Sequence, residues 1–253
     1  MDEKLYDEIF RRKSFHLFRD VEDVPLFAEE IEDIYRAWDS FDPLYPDIRT
    51  RIRIVSADKT SCKRGEEYCA LIYSENKDNY LMNVGYLGQQ LDLYLVSKKI
   101  GTLWFGIGKS DEESYEGLDF VIMIAIRKVN DVTKFRKDMF KSKRKSLDEI
   151  WEGETVEGVS EIVRFTPSAC NTQPWFVRKD GNRLSVYRYR KPGKRGIMPV
   201  DRVCFYNRID LGIFICFMDL CLMKEGYGFS KELFIDDGED KELTLNAIYT
   251  LDE

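Results

Sequence analysis

Two apolar stretches half a chain apart limit the architecture more than any other feature. Asn83–Lys99 and Asp210–Gly228 align so that Gly85 meets Gly212, Asp92 meets Asp219, Leu93 meets Leu220, Leu95 meets Leu222 and Gly101 meets Gly228, each pair 127 residues apart (212 − 85 = 127). That offset is close to half of the 253 residues. We read it as a duplication: two similar halves in one polypeptide, with the two helices packed near an internal pseudo-twofold axis. Leu, Asp and Gly are common residues, so chance agreement between two amphipathic helices is the alternative. Leu211–Met223 is nearly all apolar, but it is shorter than the ~20 residues needed to cross a bilayer and it contains Asp219, so a buried core helix is expected.

The remaining elements follow from local pattern. A helix is expected over Leu5–Phe10, and an amphipathic one over Pro25–Trp38 with Pro25 in its first turn. Strands are expected at Arg51–Val55 and Cys69–Tyr73, then the long helix ending at Gly101, then the apolar strand Phe120–Ile126, buried on both faces. In the second half a helix over Val159–Phe165 is stopped by Pro167, and Asp180-Gly181 turns Trp175–Arg178 back into Arg183–Arg190 as a hairpin. The fold class is α+β, each half a mostly antiparallel sheet flanked by helices. The halves are 1–133 and 134–253, with 134–146 as a basic connecting segment.

Composition excludes several function classes. With 43% hydrophobic and 13% aromatic residues the chain can bury a substantial core. A net charge of −7 argues against a general nucleic-acid binder, because phosphate backbones need a basic surface. Lys134–Lys137 and Lys141–Lys145 are the densest basic region, which reads first as a solvated linker. Six cysteines form no CxxC pair and His16 is the lone histidine, so neither a zinc site of the common Cys/His spacings nor a His-dependent triad is expected, and no metal ligand is assigned. The charged amino terminus has no apolar run behind it, so no signal peptide is expected, and reduced thiols in the cytoplasm are.

Three stretches carry chemistry. Arg11-Arg12-Lys13-Ser14 can present cations and a hydroxyl to a phosphate, or it is an ordinary solvated basic run. Gly106 and Gly108 permit a flat ligand to approach the backbone, or they simply turn the chain. Pro167–Trp175 suits neither helix nor strand, although regular elements flank it. Its Ser168, Asn171 and Gln173 can grip a polar or planar ligand, or satisfy their own backbone.

Two of these stretches carry a resemblance. Pro167-Ser168-Ala169-Cys170-Asn171-Thr172-Gln173-Pro174-Trp175 resembles the PSxxNxQPW loop of the FMN-dependent nitroreductase family, and Arg12–Phe18 resembles its RRSxRxF flavin-phosphate motif. The likeness spans nearly the whole chain and is nearest to a single-chain, tandem branch. It implies a nitroreductase-like fold in which two fused halves keep, as an internal pseudo-dimer, the geometry that homodimers use to hold flavin at their interface. It further implies that Arg12, Lys13, Ser14 and Arg144, the last ahead of Leu147-Asp148-Glu149-Ile150, hold the FMN phosphate. Phe105, Gly106 and Ile107 would lie near the flavin N5 and O4 edge, and Pro167, Ser168 and Asn171 would cover the ring. His16 stands where the family usually has Arg or Lys near the flavin. Asp42-Pro43-Leu44-Tyr45-Pro46 occupies the place of a first-half PSxxNxQPW loop, which implies one flavin per chain.

The implied activity is ping-pong transfer of hydride from NAD(P)H to a nitroaromatic or quinone-type acceptor. Flavin N5 carries the chemistry and no protein group acts as acid or base. The implied partner is a small-molecule acceptor, with neither nucleic acid nor membrane, and the chain is a monomer or a weak homo-oligomer. The alternative is a flavin-binding or degenerate scaffold without turnover, toward which His16 and the missing first-half loop both lean.

Overall fold

A computed structural model describes residues 1–190, 198–239 and 241–252. The chain divides into two compact units, Met1–Tyr80 with Leu87–Met139, and Leu81–Tyr86 with Phe140–Glu253. Residues 134–139 of the basic segment therefore count with the first unit.

The first unit runs α1 (Tyr6–Arg11), α2 (Ala28–Ser40), β1 (Thr50–Ser56), β2 (Tyr68–Ser74), most of α3 (Tyr80–Ser97), β3 (Ile100–Phe105), β4 (Ser114–Tyr115) and β5 (Leu118–Lys128). Its sheet has the order β1-β2-β5-β3, every pair antiparallel, with the short β4 on β5. Cys69–Tyr73 and Met123–Ile126 are fully buried, as the unbroken apolar runs require of central strands. Helix α2 buries Ile34, Ala37 and Trp38.

Three details correct the sequence reading. Pro25 lies outside α2, because the Glu67 carboxylate takes the Leu26 N–H and the Glu30 side chain caps Phe27 at 2.9 Å. Helix α3 ends at Ser97, and the left-handed residue that leaves it is Lys99 (φ 59). Gly101 is already in β3, where a Cβ would stand 2.9 Å from Val129 and 3.0 Å from Phe15, so packing rather than capping requires it.

The second unit adds β6 (Trp151–Glu152), α4 (Ser160–Val163), β7 (Trp175–Asp180), β8 (Arg183–Tyr189), α5 (Val203–Lys224), β9 (Phe229–Leu233) and β10 (Leu243–Leu251). Its sheet has the order β6-β7-β8-β10-β9, with β6 parallel to β7 and the other pairs antiparallel. Strands β7-β8-β10-β9 thus repeat β1-β2-β5-β3 in order and pairing, and α5 follows β8 as α3 follows β2. The fold is α+β, built twice. The Asp180-Gly181 hairpin forms as expected, with Gly181 at φ 56. Helix α4 is a single turn, shorter than expected, because Gly158 (φ 68) precedes it and the Thr166 hydroxyl donates to Val163 O at 2.6 Å as Pro167 ends the run. Helix α5 is buried on every side from Ile209 to Leu222. Among the described residues no helix is long and apolar enough to cross a membrane.

Within the second unit the first turns of α3 meet α5 at glycine. A Cβ on Gly85 would lie 2.0 Å from Ile209 O, and one on Gly212 would lie 2.0 Å from Met82 O. The 127-residue shift exchanges these two contacts, carrying Met82 to Ile209 and Gly85 to Gly212. Two backbones touch with no room for a methyl group. Gly85→Ala and Gly212→Ala are each expected to cost about 2–3 kcal/mol in denaturant unfolding, although helix propensity alone favours alanine by about 1 kcal/mol. An unchanged or raised midpoint would show that the helices do not cross this closely.

Candidate functional site

In the first unit, the chain leaving α1 is pinned by a buried carboxylate. Asp92 is fully buried on α3 and accepts from Arg12 Nε at 2.8 Å, Thr102 Oγ1 at 2.5 Å and Trp104 Nε1 at 3.0 Å. Arg12, only 5% exposed, is therefore turned inward. Ser14 bridges Thr102 in parallel and Phe15 N donates to Thr102 O at 2.9 Å, which lays the segment along β3. Lys13 and His16 are exposed beside the half-buried Ser14. Lys13 Nζ donates to Lys134 O at 2.9 Å, and Arg136 N donates to Arg11 O at 3.0 Å. Burial first, and the charge of Arg12 second, lower the Arg136 pKa.

Arg136 is a residue the sequence reading passed over in favour of Arg144. Its signal was present in the Lys134–Lys137 run, but only the fold brings that run to Arg11–Lys13. Beyond β3, Phe105 and Gly106 are half-buried and Ile107 is 58% exposed. Gly108 has a packing reason for being glycine, since a Cβ there would meet Met123 Sδ at 2.6 Å.

In the second unit the structure brings Arg144 and Asn171 together. Arg144 Nη1 donates to Asn171 Oδ1 at 2.8 Å, and Asn171 Nδ2 donates to Lys143 O at 3.2 Å. Buried Lys145 donates from N to Gln173 Oε1 at 2.8 Å and from Nζ to Gln173 O at 2.7 Å. Gln173 N in turn donates to Ser168 Oγ at 2.9 Å. Ser168 thus serves the loop's own backbone and Gln173 ties the loop to Lys145, while Asn171 stays exposed and Pro167 half-buried. Trp175, stacked on Phe214 with centroids 5.0 Å apart, is core.

This loop holds three left-handed residues that are not glycine: Cys170 (φ 50), Asn171 (φ 55) and Gln173 (φ 51). Such conformations cost of order 1 kcal/mol or more each, and they persist where surroundings over-determine them, often at ligand sites. One of those surroundings is Asp210 on α5, whose Oδ1 accepts from Ala169 N at 2.9 Å. Burial pushes the Asp210 carboxyl up to about 8 against that hydrogen bond.

Residues 4–222 match the family described as "Putative TM nitroreductase". The chain belongs to this nitroreductase family. It is an oxidoreductase by that membership. The nitroreductase fold is also seen in the crystal structure of a "putative nitroreductase" from Thermotoga maritima, with a TM-score of 0.62 at 17% identity over 98% of this chain and 92% of that one. More distant is a "putative NADH dehydrogenase/NAD(P)H nitroreductase" from Bacteroides thetaiotaomicron, TM-score 0.45 at 14% identity over 61% of this chain and 100% of that one. A "putative nitroreductase in complex with FMN" from Desulfovibrio desulfuricans gives 0.41 at 16% identity, over 62% of this chain and 99% of that one. No curated protein matches the chain.

The buried acid yields a pH test. The Asp210 carboxyl stands near 8 in the folded chain and near 4 in the unfolded one, so between those values only the folded protein keeps the proton. The contribution of Asp210 to wild-type stability should therefore fall as pH rises from about 4 to about 8. Asp210→Asn keeps an acceptor for Ala169 and removes that dependence. Relative to wild type, the variant should gain a few kcal/mol, roughly, between pH 5 and pH 8. Parallel stability curves for the two proteins would refute the assignment.

Proposed function

We propose that the chain binds FMN and uses it to pass hydride from NAD(P)H to nitroaromatic or quinone-type acceptors. The observation that carries this reading is the Asp92 anchor, which fixes Arg12 and leaves Lys13 exposed and Ser14 half-buried on a segment held along β3. A cation and a hydroxyl held this way suit a phosphate, with Arg136 adding a second guanidinium beside Arg12. In the second unit, Arg144 and the left-handed Asn171 offer polar atoms, Asn171 on a loop that has no glycine to relax it, and Pro167 presents an apolar ring. These donors fit the phosphate and the polar ring edge of FMN.

Bound FMN would supply hydride acceptance and donation at N5. The protein's part is to bind and orient. Lys13, Ser14, Arg136 and Arg144 are assigned to charge recognition, Arg12 to positioning the first-unit segment, and Pro167, Ser168 and Asn171 to the loop that covers the ring. The main chain of Phe105, Gly106 and Ile107 is assigned to the ring's N5 and O4 edge, and His16 to the neighbourhood of the ribityl chain. The repeated topology supports an internal pseudo-dimer derived from a half-size unit, with one FMN per chain because only the second half carries the Ser-Asn loop. Among the described residues none of the six cysteines forms a disulfide, which suits a reducing cytoplasm.

The assignment separates phosphate from ring. Lys13→Ala with Ser14→Ala should weaken FMN binding by about 10–100-fold, the worth of one or two charge-assisted hydrogen bonds, while riboflavin, which has no phosphate, binds as before. Equal loss for both ligands would place the phosphate elsewhere. Titration should saturate at one FMN per chain, and the flavin absorbance should bleach under anaerobic NADH or NADPH. Binding without bleaching would leave the scaffold reading in place of the enzyme.

A further inference from the structure

The loop between β1 and β2, together with the start of β2, gathers a donor set that the proposed flavin chemistry does not use. The Sγ atoms of Cys62 and Cys69 and a carboxylate oxygen of Glu66 all lie within 4.8 Å of one another, and all three residues are buried, Glu66 at 7% exposure. Both cysteines are free thiols. Glu66 Oε2 accepts from Arg64 N at 2.7 Å, which fixes the carboxylate, while Oε1 is fully buried with no hydrogen-bond partner. An orphaned buried carboxylate oxygen is costly unless something positive meets it. The Thr60 hydroxyl lies 3.5 Å from Cys69 Sγ and accepts from Cys62 N at 3.2 Å, an outer layer that orients both sulfurs.

We propose that Cys62, Glu66 and Cys69 bind a zinc ion, with water in the fourth position. Two thiolates and one carboxylate are donors that zinc prefers, and bonds of about 2.3 Å to sulfur and 2.0–2.2 Å to oxygen put tetrahedral donors under about 4 Å apart, a small contraction from the observed limit. The spacing, Cys-x6-Cys with glutamate between, falls outside the common Cys/His patterns, so the sequence alone does not signal it. Binding displaces the two thiol protons to solvent, so that two thiolates and the Glu66 carboxylate share the positive charge of the ion.

The position of this loop gives the ion a purpose. Phe18 N donates to Arg64 O at 2.8 Å, Ser61 N donates to Lys109 O at 2.9 Å, and Lys109 N donates to Ser61 Oγ at 2.8 Å. The loop thereby holds both the Arg12–Phe18 segment and the chain just after Gly108. A metal clip here would stiffen the two first-unit segments assigned above to the cofactor.

The test uses the full-length chain under reducing, chelator-washed conditions, with zinc measured by elemental mass spectrometry and cobalt(II) as a spectroscopic substitute. About one zinc per chain is expected, and cobalt should give the sulfur-to-metal charge-transfer band and intense visible bands of a tetrahedral thiolate site. Glu66→Gln, nearly isosteric, should weaken metal binding by about tenfold or more, and Cys62→Ser and Cys69→Ser should each diminish the charge-transfer band. A reduced wild-type chain that takes up neither metal would overturn the inference. So would a cobalt spectrum unchanged in Cys62→Ser, or a purified chain two hydrogens light with Cys62 and Cys69 in one disulfide-linked peptide. Far-UV circular dichroism identifies any variant that fails to fold, in which case wild type and Glu66→Gln decide. Metal uptake is read on flavin-free and flavin-loaded protein separately, so FMN binding without metal sinks this inference alone, and metal without FMN sinks only the function.

Discussion

Asp92 is the constraint on which the first unit turns. A carboxylate with no solvent must be met by donors, and here they come from three places: Arg12 after α1, and Thr102 and Trp104 on β3. Removing one partner of such a buried pair costs about 3–5 kcal/mol, whereas the intact pair adds little net stability. What it contributes is definition. The motif segment can lie only where Arg12 reaches Asp92, and Lys13 and Ser14 follow from that.

The second unit solves the same problem with different residues. Asp219, 127 positions after Asp92, accepts from Tyr86 Oη at 2.7 Å, Tyr249 Oη at 2.6 Å and Lys231 Nζ at 2.5 Å. Lys231 stands 127 positions after Trp104, so the repeat keeps a donor at that place while changing indole to ammonium. Burial and the Asp219 charge drive the Tyr249 hydroxyl well above its ordinary range, keeping it a donor. The duplicated apolar helices therefore carry a duplicated polar centre whose partners differ between the halves.

Much of the fold was legible because period and punctuation are local. The central strands, the hairpin at Asp180-Gly181, the buried α5 and the repeat at 127 residues all rest on patterns within a few turns of chain. Errors fell where a distant group intervened. Glu67 draws Leu26 out of α2, and Phe15 and Val129 rather than a helix cap demand Gly101. Among the candidate site residues, Arg144 and Asn171 do meet, Ser168 serves its own loop, and Gln173 ties that loop to Lys145. Arg136 was hidden because the turn that carries it to Arg11 is set by a backbone hydrogen bond, which leaves no mark in composition. The grouping of Cys62, Glu66 and Cys69 was hidden for a related reason, since the two sulfurs and the carboxylate meet only once the loop folds against β2.

By itself the sequence determined the class of fold, its repetition and the two motifs that mark the family, because apolar periodicity and short unusual loops are written in consecutive residues. Only the tertiary structure decided which cations point inward and which outward, why particular glycines cannot be replaced, and where acids are left to share or seek a positive partner. Those outcomes depend on desolvation, and a side chain loses its water only through residues that the chain brings to it from far away.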